Sequence, residues 1–126
     1  MVSFIYVAIG GAAGATLRYG IGQAAAHAAM LPSWVVTLVV NVVGSFLIAF
    51  LSIWGQRQYP DAIFFRPLLI TGFCGGFTTF STFTAESYVM FREGAYGLAL
   101  LYIAGSVLIG LLALWVGLYV SRIIAS

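Results

Sequence analysis

Charged residues are scarce in this 126-residue chain: five arginines or lysines and three acidic residues make up 6% of it, and all five basic residues are arginine. Soluble domains carry roughly a quarter charged residues, whereas 63% of this chain is hydrophobic. The composition excludes an ordinary soluble domain and predicts an integral membrane protein with one domain. It also excludes nucleic acid as a partner, because binding nucleic acid requires a clustered basic face.

Cysteine and histidine are nearly absent. The single cysteine, Cys74, excludes an internal disulfide and a cysteine-based zinc site. The sole histidine, His27, has no serine–aspartate set around it and there is no phosphate loop, so we predict that the chain is not an enzyme. The first apolar stretch has no basic region before it and is longer than a signal-peptide core, so no cleavable signal is expected.

Long apolar stretches lie between the few charges. They predict four spans, approximately 3–26, 33–55, 67–91 and 95–121. Each is long enough for a hydrocarbon core of ~30 Å at ~1.5 Å per residue. The predicted fold is an all-α membrane protein with four transmembrane helices, in which residues 1–126 form a single transmembrane domain surrounded by the lipid bilayer.

The third span contains three glycines in five residues, Gly72, Gly75 and Gly76. Glycine costs roughly 1 kcal/mol in a helix interior, so we expect the third helix to be broken mid-membrane and to restart at Thr78. Non-helical backbone at that depth survives only where it is buried in protein or lines an aqueous path. The first amides of the restarted helix carry the positive end of its dipole, which favours an anion.

Polar side chains form a stripe on each of the last three spans. The stripes are Thr37, Asn41 and Ser45, then Thr79, Thr82 and Glu86, then Tyr102, Ser106 and Gly110. Such a stripe either holds helices together through hydrogen bonds or faces a polar conduit. Hydroxyls, an amide and helix-start amides donate hydrogen bonds, and acids are nearly absent from the spans, so a conduit of this composition suits an anion better than a cation.

Four residues inside the spans have more than one interpretation. Phe80 and Phe83 lie at i, i+3 beside the hydroxyls of the third span. Such a pair usually packs, but its ring edges also carry a positive quadrupole that suits an anion. Arg18 either extends to the membrane interface or has an internal pairing or capping role. Glu86 is a candidate gate, proton site or salt-bridge partner.

Oligomerisation is expected, because four short spans, one of them broken, cannot enclose a water path alone. With the N-terminus inside, Arg57, Arg66 and Arg122 lie inside, and Arg92 and Arg18 lie outside. Three arginines against two is a very small positive-inside bias. The sequence therefore predicts a chain that inserts in both orientations.

Three motifs resemble those of the Fluc (CrcB) family of fluoride channels. The most specific is the run Gly75-Gly76-Phe77-Thr78-Thr79-Phe80-Ser81-Thr82-Phe83. The others are residues 10–19 (GGAAGATLRY) and 41–46 (NVVGSF). The resemblance covers the full length, with the fourth span matched only loosely.

This resemblance implies a fluoride-selective ion channel in the bacterial plasma (inner) membrane that exports fluoride passively and protects the cell from fluoride toxicity. It implies a dual-topology antiparallel homodimer with two pores. It implies a fluoride pathway lined by Asn41, Phe80, Phe83, Thr79, Thr82, Tyr102 and Ser106. It further implies a structural sodium ion at the dimer interface, held by the backbone carbonyls of Gly75 and Thr78 from each subunit.

Two other classes stay open on the residues alone. A small four-span multidrug or cation exporter shares the length and the inverted dimer, but such exporters resemble one another in a membrane-embedded glutamate in the first span, where this chain has none. A scaffold subunit that transports nothing would use the polar stripes only to hold helices together. Ion flux from liposomes separates the three classes.

Overall fold

Four helical spans form the chain in the computed structural model, which describes residues 1–28 and 31–126. The spans are Val2–His27, Ser33–Gln58, Arg66–Arg92 and Tyr96–Ile124, and each is long and apolar enough to cross a membrane. Every regular element in the described ranges is helical. The prediction of an all-helical chain with four membrane-capable helices is confirmed.

The turn between the third and fourth spans is set by one glycine. Gly94 has a φ of 79°, a left-handed conformation that glycine adopts without a Cβ clash. The Ala95 amide donates to Met90 O (2.9 Å) and the Gly94 amide donates to Phe91 O (3.1 Å). These two bonds form a Schellman motif, which ends the third span and returns the chain into the membrane.

The third span has four consecutive parts. A π-helical segment, Arg66–Cys74, continues into one α-helical turn, Gly75–Phe77. Thr78 (φ −82°, ψ 157°) and Thr79 (φ −146°, ψ 121°) are extended, and an α-helix, Phe80–Arg92, follows. The α-helix therefore begins at Phe80, not at Thr78 as predicted from the sequence.

All three glycines of the third span lie in helical backbone, and two of them, Gly72 and Gly76, allow the first span to approach. A Cβ on Gly72 would lie 2.9 Å from Val7 O, and one on Gly76 would lie 2.5 Å from Gly11 O. From the other side, a Cβ on Gly14 would clash with the Phe73 carbonyl. Small residues at such positions let two helix backbones pack closely in a membrane. Gly72 and Gly76 thus serve helix packing, whereas a Cβ on Gly75 would meet nothing within 4 Å, and the extended backbone follows these glycines.

The second and fourth spans pack on each other and against the end of the third span. Gly117 faces the Phe46 carbonyl, and a buried cluster of Met90, Ala99 and Tyr102 joins the third span to the fourth. Phe83 packs against this cluster. The extended residues of the third span lie against the second span, with the Thr78 side chain beside Gly44.

The close approach of the first and third spans gives a test of the fold. We expect Gly14→Ala to lower the thermal unfolding midpoint of the purified protein, because the added methyl meets the Phe73 backbone and overpacking typically costs about 1–3 kcal/mol. Gly20→Ala is the matched control on the same helix, since a Cβ at Gly20 meets nothing within 4 Å. Equal midpoints for the two variants in detergent would contradict this packing.

Candidate functional site

Asn41 holds the extended backbone at Thr79. The Thr79 amide donates to Asn41 Oδ1 (2.8 Å), and Asn41 Nδ2 donates to Thr79 O (3.0 Å). An extended residue inside a helical span has lost its helical partners, and an asparagine side chain offers both an acceptor and a donor. Asn41 therefore replaces two backbone hydrogen bonds, and one of its amide hydrogens is left for another acceptor.

Two further side chains bind backbone groups around the extended pair. Arg18 Nε donates to Gly76 O (3.3 Å), so the guanidinium reaches into the bundle from the first span. The Thr82 amide donates to Thr79 Oγ1 (3.3 Å), which makes Thr79 the N-cap of the last helix in the third span. Threonine is a favoured N-cap because its hydroxyl accepts from an otherwise unpaired amide.

Glu86 joins three spans through hydroxyl groups. Its Oε1 accepts from Thr37 Oγ1 (2.9 Å) in the second span, and its Oε2 accepts from Tyr102 OH (2.7 Å) in the fourth. Tyr102 is only 3% exposed, and its ring lies edge-on to Phe83 with centroids 5.1 Å apart. Both carboxyl oxygens are therefore occupied by hydroxyl donors, a geometry that fixes the position of Glu86 between the spans.

Two cavities meet at Thr79. The first has a volume of about 250 Å³ and is lined by Arg18, Thr79, Thr82 and Glu86, among others. The second has a volume of about 340 Å³. Its lining is Asn41, Gly44, Ser45, Ile48, Cys74, Gly75, Thr78, Thr79, Phe80, Phe83, Ser106 and Val107. Charged side chains line the first cavity, and none of the residues that line the second is charged.

The second cavity contains an unpaired hydrogen-bond donor and a pair of aromatic rings. Within residues 1–28 and 31–126, Ser106 Oγ is the buried side-chain polar atom that has no hydrogen-bond partner. Buried polar groups are normally paired, so such an atom calls for an explanation such as a bound ion. The rings of Phe80 and Phe83 lie 5.9 Å apart. Phe80 is 76% exposed in the single chain, so the cavity is open on that side.

Most of the residues predicted to form a pathway lie in these two cavities. Asn41, Thr79, Phe80, Phe83 and Ser106 line the second. Thr82 lines the first, and Tyr102 lines neither but binds Glu86. These placements show where each residue lies, and its part in transport stays a prediction.

Sequence reasoning did not assign Thr37 to the site. Thr37 shares a stripe with Asn41 and Ser45, which was the available signal, but its partner Glu86 is 49 residues away in the chain. Helical spacing shows which side chains share a face of one helix. It does not show which neighbouring helix that face meets.

Backbone oxygens in this part of the chain are available to hold a metal ion. In the described ranges no three His, Cys, Asp or Glu residues are grouped to hold a metal. The Thr79 amide donates to Asn41 and the Thr82 amide donates to Thr79 Oγ1, so Gly75 O and Thr78 O lose the amides that a continuous helix would supply. A Cβ built on Gly75 meets nothing within 4 Å, so this backbone faces open space. Carbonyl oxygens are hard ligands and suit a small hard cation.

Comparison with known proteins gives consistent matches over almost the whole chain. The family model described as "CrcB-like protein, Camphor Resistance (CrcB)" matches residues 5–118. A protein of Caulobacter vibrioides named "Fluoride-specific ion channel FluC" is 43% identical over 124 residues, which cover 97% of both chains. Proteins of the same name from Rhizobium etli (42% identical, 97% of this chain and 98% of theirs) and Agrobacterium fabrum (39%, again 97% and 98%) are similar.

Proposed function

The chain belongs to the CrcB-like protein family, and from this premise we propose that it is a fluoride-specific ion channel in the bacterial membrane. The observation that carries the proposal is the second cavity, which brings Asn41, Ser106 and the Phe80–Phe83 pair together without a charged side chain. Fluoride is small and strongly hydrated, so a selective path must replace much of its water. Hydroxyl and amide donors do so directly, and ring edges add positive potential.

The proposed path crosses the membrane at the extended residues. Thr78 and Thr79 lie at the middle of the third span, whose 27 residues run from Arg66 to Arg92, and we place them at mid-membrane depth as a break in the third helix. Thr79 lines both cavities, so an ion that moves from one cavity to the other passes this residue. Non-helical backbone is tolerated at this depth where it lines such a path.

The functional unit in this proposal is an antiparallel homodimer with two pores. Phe80 is 76% exposed and the second cavity opens beside it, so a second copy is needed to close the wall around the ion. Each chain carries one such half-open cavity, and a two-fold dimer therefore has two. Passive flow through them would export fluoride down its electrochemical gradient and protect the cell from fluoride toxicity.

The two membrane orientations needed for this dimer are supported by a small charge bias. Arg57, Arg66 and Arg122 lie at one end of the bundle, while Arg92 lies at the other. Arg18 does not count toward either end, because it is bonded to Gly76 O inside the bundle. Without Arg18, the two ends of the bundle differ by two arginines, whereas the count from the sequence alone is a difference of one. Each charge near the membrane surface contributes only ~1 kcal/mol to the preference for one orientation.

A sodium ion on the two-fold axis is the proposed cofactor of the dimer. The carbonyls of Gly75 and Thr78 have lost their helical amide partners, and the Gly75 backbone faces open space where the second copy would lie. Two carbonyls from each chain would give four hard oxygen ligands. A bound cation supplies positive potential that favours anions in the nearby pores.

The exporter alternative is less well supported. A proton-coupled exporter needs a titratable group that is free at mid-depth. In this chain the intramembrane carboxyl is Glu86, and both of its oxygens accept hydrogen bonds from Thr37 and Tyr102. We assign Glu86 and Arg18 to the structure or gating of the first cavity, and transport rather than catalysis to the protein.

Fluoride selectivity tests the proposal directly. Liposomes loaded with potassium fluoride and containing the purified protein should release fluoride rapidly once a potassium ionophore clamps the voltage, and liposomes loaded with chloride should release little. The donors of the uncharged cavity replace the hydration of the small anion, and this is the reason for the difference. Protein-free liposomes are the control, and comparable release of the two anions, or release of neither, would show that the proposal is wrong.

The aromatic pair gives a second test of the path. Phe80→Ile and Phe83→Ile remove the two aromatic rings that line the second cavity, and with them the positive ring edges. We expect each to slow fluoride efflux by orders of magnitude, because each ~1.4 kcal/mol added to the barrier slows transit tenfold. Phe91→Ile is the matched control: Phe91 lies on the same helix but pairs with Tyr96 and lines neither cavity. The measurement is efflux per dimer after size-exclusion chromatography. Normal rates in both pathway variants would assign the pair to packing alone.

Dual topology is tested by labelling single cysteines in a Cys74→Ser background. We place one cysteine at Gln58 and, in a separate variant, one at Gly97. Because these residues lie at opposite ends of the bundle, a chain that inserts both ways exposes each of them on both sides of the membrane. A membrane-impermeant maleimide should therefore label about half of each variant from outside. Complete labelling of one variant and none of the other would show a single orientation.

A further inference from the structure

We infer that Asn41 and Thr79 are positioning residues for the sodium ion, and that they act by withdrawing two amides from the carbonyls that would bind it. The inference rests on the sodium site of the proposed function and adds to it how the chain makes that site. Neither side chain touches the cation in this account. Each acts through a backbone group of the third span.

The first withdrawn amide is that of Thr79. In a continuous helix it would donate to Gly75 O, four residues earlier. Instead it donates to Asn41 Oδ1 at 2.8 Å, while Asn41 Nδ2 donates to Thr79 O at 3.0 Å and holds the residue from its other side. Asn41 thus turns the Thr79 amide away from the third span and leaves Gly75 O with free lone pairs.

The second withdrawn amide is that of Thr82. In a continuous helix it would donate to Thr78 O, but it donates to Thr79 Oγ1 at 3.3 Å. The same hydroxyl donates its own hydrogen to Thr82 Oγ1 at 3.1 Å, so its lone pair is turned towards the Thr82 amide. The hydroxyl of Thr79 therefore takes the expected donor away from Thr78 O, just as the side-chain oxygen of Asn41 takes the expected donor away from Gly75 O.

Two neighbouring carbonyls, those of Cys74 and Gly76, already accept hydrogen bonds. Cys74 O accepts from the Thr78 amide and from Thr78 Oγ1, both at 3.0 Å, and Gly76 O accepts from Arg18 Nε at 3.3 Å. Gly75 O and Thr78 O are the two from which the side chains of Asn41 and Thr79 have removed the expected donor.

A positioning role and a purely structural role predict different sodium dependence. If the two side chains only stabilise the fold, removing them lowers the melting temperature of the dimer by the same amount at every sodium concentration. If they free the carbonyls, their removal lets the amides return to Gly75 O and Thr78 O and compete with the ion. The sodium concentration that gives half of the stabilisation then rises.

The experiment titrates sodium chloride against N-methyl-D-glucamine chloride at constant ionic strength and records the melting temperature of the full-length purified dimer. The variants are Asn41→Leu and Thr79→Val, which keep approximate side-chain size and remove the hydrogen-bonding atoms. Thr79→Ser restores the hydroxyl cap. Ser52→Ala is the matched control, because Ser52 lies on the second span but bonds only Ile48 O of its own helix.

We expect the half-stabilising sodium concentration to rise at least tenfold in Asn41→Leu and Thr79→Val, and to stay within twofold of wild type in Thr79→Ser and Ser52→Ala. If Asn41→Leu does not yield a dimer, the comparison of Thr79→Val with Thr79→Ser decides the question. If the half-stabilising sodium concentration is unchanged and the melting temperature is lower by the same amount at every sodium concentration, the inference is wrong. The proposed sodium site would not be affected by that result. If sodium does not stabilise the wild-type dimer, both the sodium site and this inference are wrong. The channel function is tested separately, by fluoride efflux.

Discussion

In a bilayer, every peptide N–H and C=O group must find its partner inside the protein, because hydrocarbon offers none and an unpaired group costs several kcal/mol. Thr78 and Thr79 are extended in the middle of the third span, so backbone groups there lack the partners that a continuous helix would supply. Arg18, Asn41 and the hydroxyl of Thr79 itself meet part of this requirement, from three different spans, and Gly75 O and Thr78 O are left for the proposed sodium ion. Two non-helical residues therefore account for three of the polar side chains within the bundle.

Close packing by glycine brings one of these donors, Arg18, within reach of the third span. The first span reaches the third because Gly10 and Gly14 place no side chain against the carbonyls of Leu68 and Phe73. Arg18 lies one helical turn after Gly14, so the same approach carries its guanidinium to Gly76 O. The glycines do not interrupt the helix themselves. They bring an arginine close to the segment where the interruption follows.

The four membrane-capable helices and the polar stripes could be read from the sequence, because hydropathy and helical spacing depend on local order alone. The position of the extended residues could not, since glycine permits both a break and a close helix contact, and here it serves contact. Thr78 and Thr79 themselves carried a signal, because β-branched residues favour extended backbone. The partners of Glu86 could not be predicted from the sequence either, because Thr37 and Tyr102 lie 49 and 16 residues away in the chain, on other helices.

In the proposed channel, charged and uncharged groups lie in different cavities, which meet at Thr79. Arg18 and Glu86 line the first cavity, and uncharged groups line the second. A mobile anion is attracted by a fixed positive charge, but a strong charge at the narrowest point would hold it too firmly for rapid transit. Arg18 donates to a carbonyl and Glu86 accepts from two hydroxyls, so both charges are held in place on one side of Thr79. In the proposed channel, the uncharged donors on the other side of Thr79 would solvate fluoride weakly enough to release it. This separation of charged from uncharged groups depends on the extended backbone that Asn41 holds.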